Sequence, residues 1–205
     1  MKKITALFLI VLTALTFASC GAALDDEQTK EVAAPLIEAS FNVNEIFFGK
    51  GLAHEGNSSF DGYDPESDDA SKYEVKPVKY YTVTDERYHS IDELKEAARA
   101  VYTDAYLENV FAVAFEGMTQ GDGTIYKYPR YVSNVIGTLS INADAETENA
   151  IANRTYDLST IKVTGGSSKV VYFTVQSYVD GVEDQLIKLS IRDEGNGWRL
   201  DSPTY

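Results

Sequence analysis

From Glu31 to Phe48 apolar residues recur at Val32, Leu36, Ile37, Val43, Ile46 and Phe47, much of it the spacing of one helical face. Pro35 suits a first turn, which places the firm part of this helix from there onward, and Gly49 and Gly51 supply its stop. The stretch Glu55 to Glu74 then loses periodicity, carries seven acidic residues against one basic one, and reads as a surface loop of low order. Val78 to Thr84 alternates as a strand does, with Lys79, Tyr81 and Val83 on one side and Tyr80, Thr82 and Thr84 on the other. A turn at Asp85-Glu86 would pair it with a short strand at Arg87 to His89. Ser90 and Glu93 have capping-box spacing, and Ile91, Leu94, Ala98 and Val101 form the buried stripe of the helix they start. Thr103 and Asp104 can cap a second helix, Ala105 to Phe115, apolar on most sides.

Beyond the turn at Gly117 to Gly123 the pattern shortens to alternating runs. Tyr131 to Ile141, Tyr156 to Val163, Lys169 to Val179, Gln185 to Asp193 and Trp198 to Asp201 read as strands, the last three as an antiparallel meander. Val171, Phe173, Val175, Ile187, Leu189, Ile191, Trp198 and Leu200 form its expected core face; Lys188, Arg192, Arg199 and Asp201 occupy the other. The expected architecture is α+β, with N-terminal helices packed on a curled antiparallel sheet.

The N-terminus changes the picture. Met1-Lys2-Lys3 precedes an apolar run from Ile4 to Phe17 whose fourteen residues would span about 21 Å as a helix, short of the roughly 30 Å hydrocarbon core. That is the pattern of a secretory leader. It ends in Ala18-Ser19 ahead of Cys20, the only cysteine. This resembles the bacterial lipobox, and the resemblance implies removal of residues 1–19, diacylation of the Cys20 thiol and residence on the extracytoplasmic face of the membrane. Residues 20–30 then read as a flexible tether and 31–205 as a single domain. The chain has 18 Lys and Arg against 32 Asp and Glu, net −14; losing Lys2 and Lys3 with the leader leaves 16 against 32, net −16. Such a balance argues against nucleic-acid binding and against basic-patch adhesion to anionic lipid, and leads to the expectation that the domain stands away from the bilayer. Membrane contact is then through the anchor, and the expected partners are wall components, other secreted proteins or soluble ligands.

The order of elements, the capped helix from Ser90, the alternating strands after Tyr131 and the ending Gly197-Trp198-Arg199-Leu200-Asp201-Ser202-Pro203 are similar to the NTF2-like, cystatin-like α+β fold. The chain also looks like extracytoplasmic proteins of the IseA type, inhibitors of peptidoglycan D,L-endopeptidases. That likeness implies a non-enzymatic protein that inserts a loop into a hydrolase groove, and it assigns no inhibitory residue.

Candidate chemistry is sparse. His54-Glu55 lacks the second histidine of a zinc-protease motif, since Ser58 stands there. Asp64, Glu66 and Asp68 alternate as in a calcium loop, but Asp69 and Val75 occupy the positions that need Gly and Glu. No serine elbow occurs. No catalytic residue, metal ligand or cofactor is therefore assigned. Two candidate sites are named: the hairpin tip with Asp180, Glu183 and Asp184 as a partner-binding element, and, as the NTF2-like resemblance implies, a ligand pocket lined by Tyr81, Tyr131 and Tyr172. The expected function is a lipid-anchored binding or regulatory protein, with a small-ligand carrier or an NTF2-like enzyme as alternatives.

Overall fold

A computed structural model describes residues 23–61, 78–119, 121, 125–134, 136–143 and 153–205, with side chains at all of these except 58–61 and 125–126. The leader, Cys20 and residues 62–77, which include the acidic stretch from 62 to 74, lie outside the described residues.

Helix α1 (Asp26–Phe47) begins well ahead of Pro35. The Asp25 side chain accepts from the Gln28 amide at 2.9 Å while Gln28 Oε1 accepts from the Asp25 amide at 3.1 Å, a reciprocal cap that satisfies two otherwise unpaired donors. Leu24 and Thr29 are buried. The expected tether of residues 20–30 is therefore ordered from Leu24 onward. Pro35 is accommodated inside the helix on its exposed side.

Strand β1 (His54–Asp61) occupies the start of the stretch expected to be loop and pairs antiparallel with β2 (Lys79–Val83). Arg87 does not enter a strand. Its guanidinium folds back onto Asp85, with Nε to Oδ1 at 2.9 Å and Nη2 to Oδ2 at 2.7 Å, and this local pairing holds a turn. Helix α2 (Ile91–Arg99) starts at Ser90, whose hydroxyl accepts from the Glu93 amide at 3.2 Å. Glu93 completes the cap one residue early, on the His89 amide at 2.5 Å. Helix α3 (Asp104–Phe111), capped by Thr103, runs on into a π-helical segment, Ala112–Glu116. It is less enclosed than its composition suggests, with only Leu107 and Ala114 fully buried.

After the short pair β3 (Met118–Thr119) and β4 (Ile125–Lys127), the run expected as one strand from Tyr131 to Ile141 divides into β5 (Tyr131–Ser133) and β6 (Leu139–Ile141). Asn134 Oδ1 accepts from the Ile136 and Thr138 amides, and Gly137 adopts φ +84°, so the side chain itself builds the reversal. The meander follows as β7 (Arg154–Gly166), β8 (Val170–Val179), β9 (Val182–Asp193) and β10 (Trp198–Leu200).

Two four-stranded antiparallel sheets result, ordered β1-β2-β6-β5 and β10-β9-β8-β7, in place of the single curled sheet expected. The architecture is a mixed α+β fold. Helix α1 crosses the second sheet antiparallel to β7: Asp26 bonds Lys162 and Val163 near one end, and Phe41 stacks on Tyr156 near the other. Val171, Phe173, Val175, Leu189, Ile191 and Leu200 are buried beneath it, and Ile187 and Trp198 are half-buried. Phe47, Phe111, Phe115 and Tyr131 interlock with centroid separations of 5.6 to 6.4 Å, joining α1, the π-helical segment and the first sheet into the same core.

Candidate functional site

The β8–β9 hairpin turns on two residues. Asp180 has φ +52° and Gly181 φ +77°, both in the left-handed region, as a two-residue turn matched to strand twist requires. Below the tip, Gln176 pairs with Leu186 and Tyr178 with Glu183, so Ser177 alone opposes both Asp184 and Gln185 in a β-bulge. Period-two alternation points Ser177 inward after Val171, Phe173 and Val175, and it is completely buried. Arg154 closes the bulge from β7, with Nη1 2.7 Å from Ser177 Oγ and 2.7 Å from Asp184 Oδ2. The Asp180 amide donates to the Asn153 carbonyl at 3.1 Å. Three strands thus brace the turn.

The three acidic residues assigned to this tip separate into two kinds. Asp184 is neutralised by Arg154 and held against the bulge, so it acts as a brace. Asp180 and Glu183 are exposed and have no ion-pair partner among the described residues. Val182 between them is 69% exposed and Leu186 59%, which puts aliphatic surface beside the two carboxylates.

The three tyrosines assigned to a pocket do not converge. Tyr131 is fully buried; its hydroxyl donates to the Ile46 carbonyl at 2.9 Å and accepts from the Leu52 amide at 3.2 Å, and burial raises its pKa. Tyr81 shares that sheet face, with Ile141 of β6 standing between the two. Tyr172 lies on the other sheet and is 52% exposed. The Tyr81 ring lies 5.0 Å from that of His54, away from the Tyr131 hydroxyl's partners. No Asp or Glu is buried among the described residues, and the carboxyl groups with a resolved shift, Asp26, Asp85 and Asp157, are all held below the usual range by hydrogen-bond donors: the side chains of Lys162, Arg87 and Ser159 respectively.

Two polar clusters escaped the sequence reading. Arg130 is buried and donates from Nε to the Ile46 carbonyl at 3.0 Å and from Nη2 to the Gly49 carbonyl at 2.5 Å. A cation brought from far along the chain thereby caps the C-terminus of α1, whose last turn has no basic residue of its own. Gly51, at φ +81°, lets the chain leave beneath this guanidinium, where a Cβ would collide with Ile141. The second cluster centres on buried Thr204, whose hydroxyl lies 2.6 Å from Ser40 Oγ, 2.8 Å from Asn44 Nδ2 and 2.9 Å from Tyr102 Oη, while Tyr156 donates to its carbonyl at 2.9 Å. Both clusters bind this chain to itself, and their hydrogen-bonding groups are already engaged.

Among the described residues no three His, Cys, Asp or Glu side chains are grouped to hold a metal, and no helix is long and apolar enough to cross a membrane. Comparison with protein-family models and with curated proteins finds no match to this chain.

Proposed function

We propose that this chain is a lipid-anchored extracytoplasmic binding protein that acts through its β8–β9 hairpin, with inhibition of a peptidoglycan D,L-endopeptidase as the most concrete form. The observation that carries the reading is the braced tip: a two-residue turn locked from β7 that displays Val182 between free Asp180 and Glu183. A loop already fixed in one shape loses little conformational freedom on entering a groove, so more of its contact energy appears as affinity. Cys20 and the leader supply the address, as the lipobox resemblance implies.

The test adds the purified domain to a peptidoglycan digestion by D,L-endopeptidases. Hydrolysis should slow with increasing protein, and D180N, which suits the left-handed position, combined with E183K should restore it while leaving the turn intact. Unchanged hydrolysis at excess protein rejects the inhibitory form. Inhibition indifferent to the double substitution removes the hairpin from the interface.

A further inference from the structure

We infer that the domain stands on end close to the bilayer, with the β8–β9 hairpin tip directed away from the membrane toward the wall; the inference rests on the anchoring reading above. Leu24 is already buried in the fold, and α1 follows from Asp26. Cys20 and Leu24 are four residues apart, and at about 3.5 Å per residue the covalent chain between them cannot exceed roughly 14 Å. A leash that short does not let the domain stand away from the bilayer, as its charge alone led one to expect, and holds one particular end of the molecule at the surface.

The end it holds is identified by the contacts of the first helical turn. Asp26 accepts from the Val163 amide at 2.8 Å and from Lys162 Nζ at 2.6 Å, so the anchor emerges beside the part of β7 that leads into Gly165-Gly166-Ser167-Ser168. The β9–β10 turn, Glu194 to Gly197, lies at the same end, because Val170 pairs with Arg192 and the Asp193 amide donates to the Lys169 carbonyl. Both turns consist of small and polar residues, suited to rest beside headgroups without entering the hydrocarbon. The tip is at the opposite end. Phe173 faces Val163 across the ladder and precedes Asp180 by seven residues, which is about 24 Å of strand at about 3.4 Å per residue.

Electrostatics favours the upright posture over lying on the helix. Glu27, Glu31, Glu38 and Glu45 form an exposed stripe along α1, and laying that face on an anionic bilayer would bring four like charges within a screening length of roughly 8 Å. The opposite posture, flat on the outer face of the second sheet, would bring Tyr172, Leu186 and Lys188 to the surface instead. It would place the base and the tip of the sheet at similar heights, so the two postures give different readings.

The experiment uses the chain from Cys20 onward, which retains every buried core residue among the described residues, coupled through that thiol to a maleimide lipid in anionic phosphatidylglycerol-containing vesicles. A donor dye is placed by an azido amino acid at Ser168 or at Glu183, and energy transfer to acceptor-labelled headgroups is measured. Transfer should be several-fold stronger from position 168 than from 183, and twenty Gly/Ser residues inserted after Ala22 should bring the two together. Equal transfer without the insertion overturns the upright posture, and stronger transfer from 183 inverts it. Chemical coupling makes this result independent of whether cells acylate Cys20. That separate question is answered by fatty-acid labelling of the full-length chain against Cys20→Ala.

Discussion

At the scale of single residues, the fold depends on polar side chains that satisfy buried groups far from their own position. Thr204 is the clearest case. Ser40, Tyr102 and Thr204 bring one hydroxyl proton each, yet four contacts draw on them: Ser40 to the Ile37 carbonyl, Ser40 to Thr204, Tyr102 to Asn44 Oδ1, and Tyr102 to Thr204. One contact is always without a proton, and the hydroxyls share the deficit by rotation. Replacing Thr204 with valine preserves shape but strands the Asn44 amide, so Thr204→Val should cost about 1–3 kcal/mol, the usual range for an orphaned buried donor. Thr204→Ser, which keeps the hydroxyl, should cost clearly less. Urea midpoints of the two variants measure the difference, and equal losses would show that the methyl group matters more than the network.

At the scale of elements, α1 is fastened at both ends by groups outside it. Arg130 and Tyr131 close its C-terminus, while at its start Asp26 reaches β7. The Lys162 ammonium and then the Val163 amide hold the Asp26 carboxyl below its ordinary pKa. A carboxyl so depressed adds stability above its unfolded pKa of about 3.9, and this is lost as pH falls through the lower folded value. The stability gap between the parent and Asp26→Asn should therefore be steady above about pH 4 and shrink in more acid solution. Urea titrations along a pH series measure it, and a gap that ignored pH would dismiss the ion pair. High salt should narrow the gap as well, because the pair is solvent-accessible.

The element scale also shows what could be read from the sequence and what could not. Alternation in the last meander was legible because one face is buried and the other is not; Val171, Phe173 and Val175 have no other explanation. Thr103 as a cap and the stop after Phe47 were equally plain. The early start of α1 was missed although Asp25 and Gln28 have the spacing of a reciprocal cap, because small, acidic neighbours suggested a tether. The division of the sheet was missed because Tyr131 to Ile141 looks continuous unless Asn134 and Gly137 are read as turn residues. Of the proposed hairpin site, the turn was visible in Asp180-Gly181. The brace was not, since Arg154 meets Ser177 and Asp184 only through register. Tyr81, Tyr131 and Tyr172 make one pocket only if a single cone-shaped sheet carries them, and alternation along a strand carries no information about which sheet it joins.

At the scale of the whole molecule, buried phenols set the alkaline limit. Burial raises the pKa of Tyr102 to about 12 and that of Tyr156 to about 12, and pushes Tyr80 and Tyr106 upward as well. Unfolded tyrosine ionises near pH 10. Because the folded values are raised, the stability they confer is intact below about pH 10 and drains away as pH climbs toward the folded values. Phenolate absorbance should accordingly include a late, cooperative phase, from these buried rings, that coincides with loss of circular dichroism. A single smooth titration with no structural transition would contradict the burial of these rings.

The position of β10 bears on when the molecule can assemble. Leu200 bridges Tyr102 in parallel and exchanges backbone bonds with Val101 and Thr103, and Thr204 closes the space between α1 and β7. Residues 198–205 therefore complete a core whose other walls were synthesised long before, and a nascent chain shorter than this has an open interior. Closure of the interior therefore waits on a segment far along the chain from α1, so the molecule gains its packed centre in one late step and not piecemeal from its first helix.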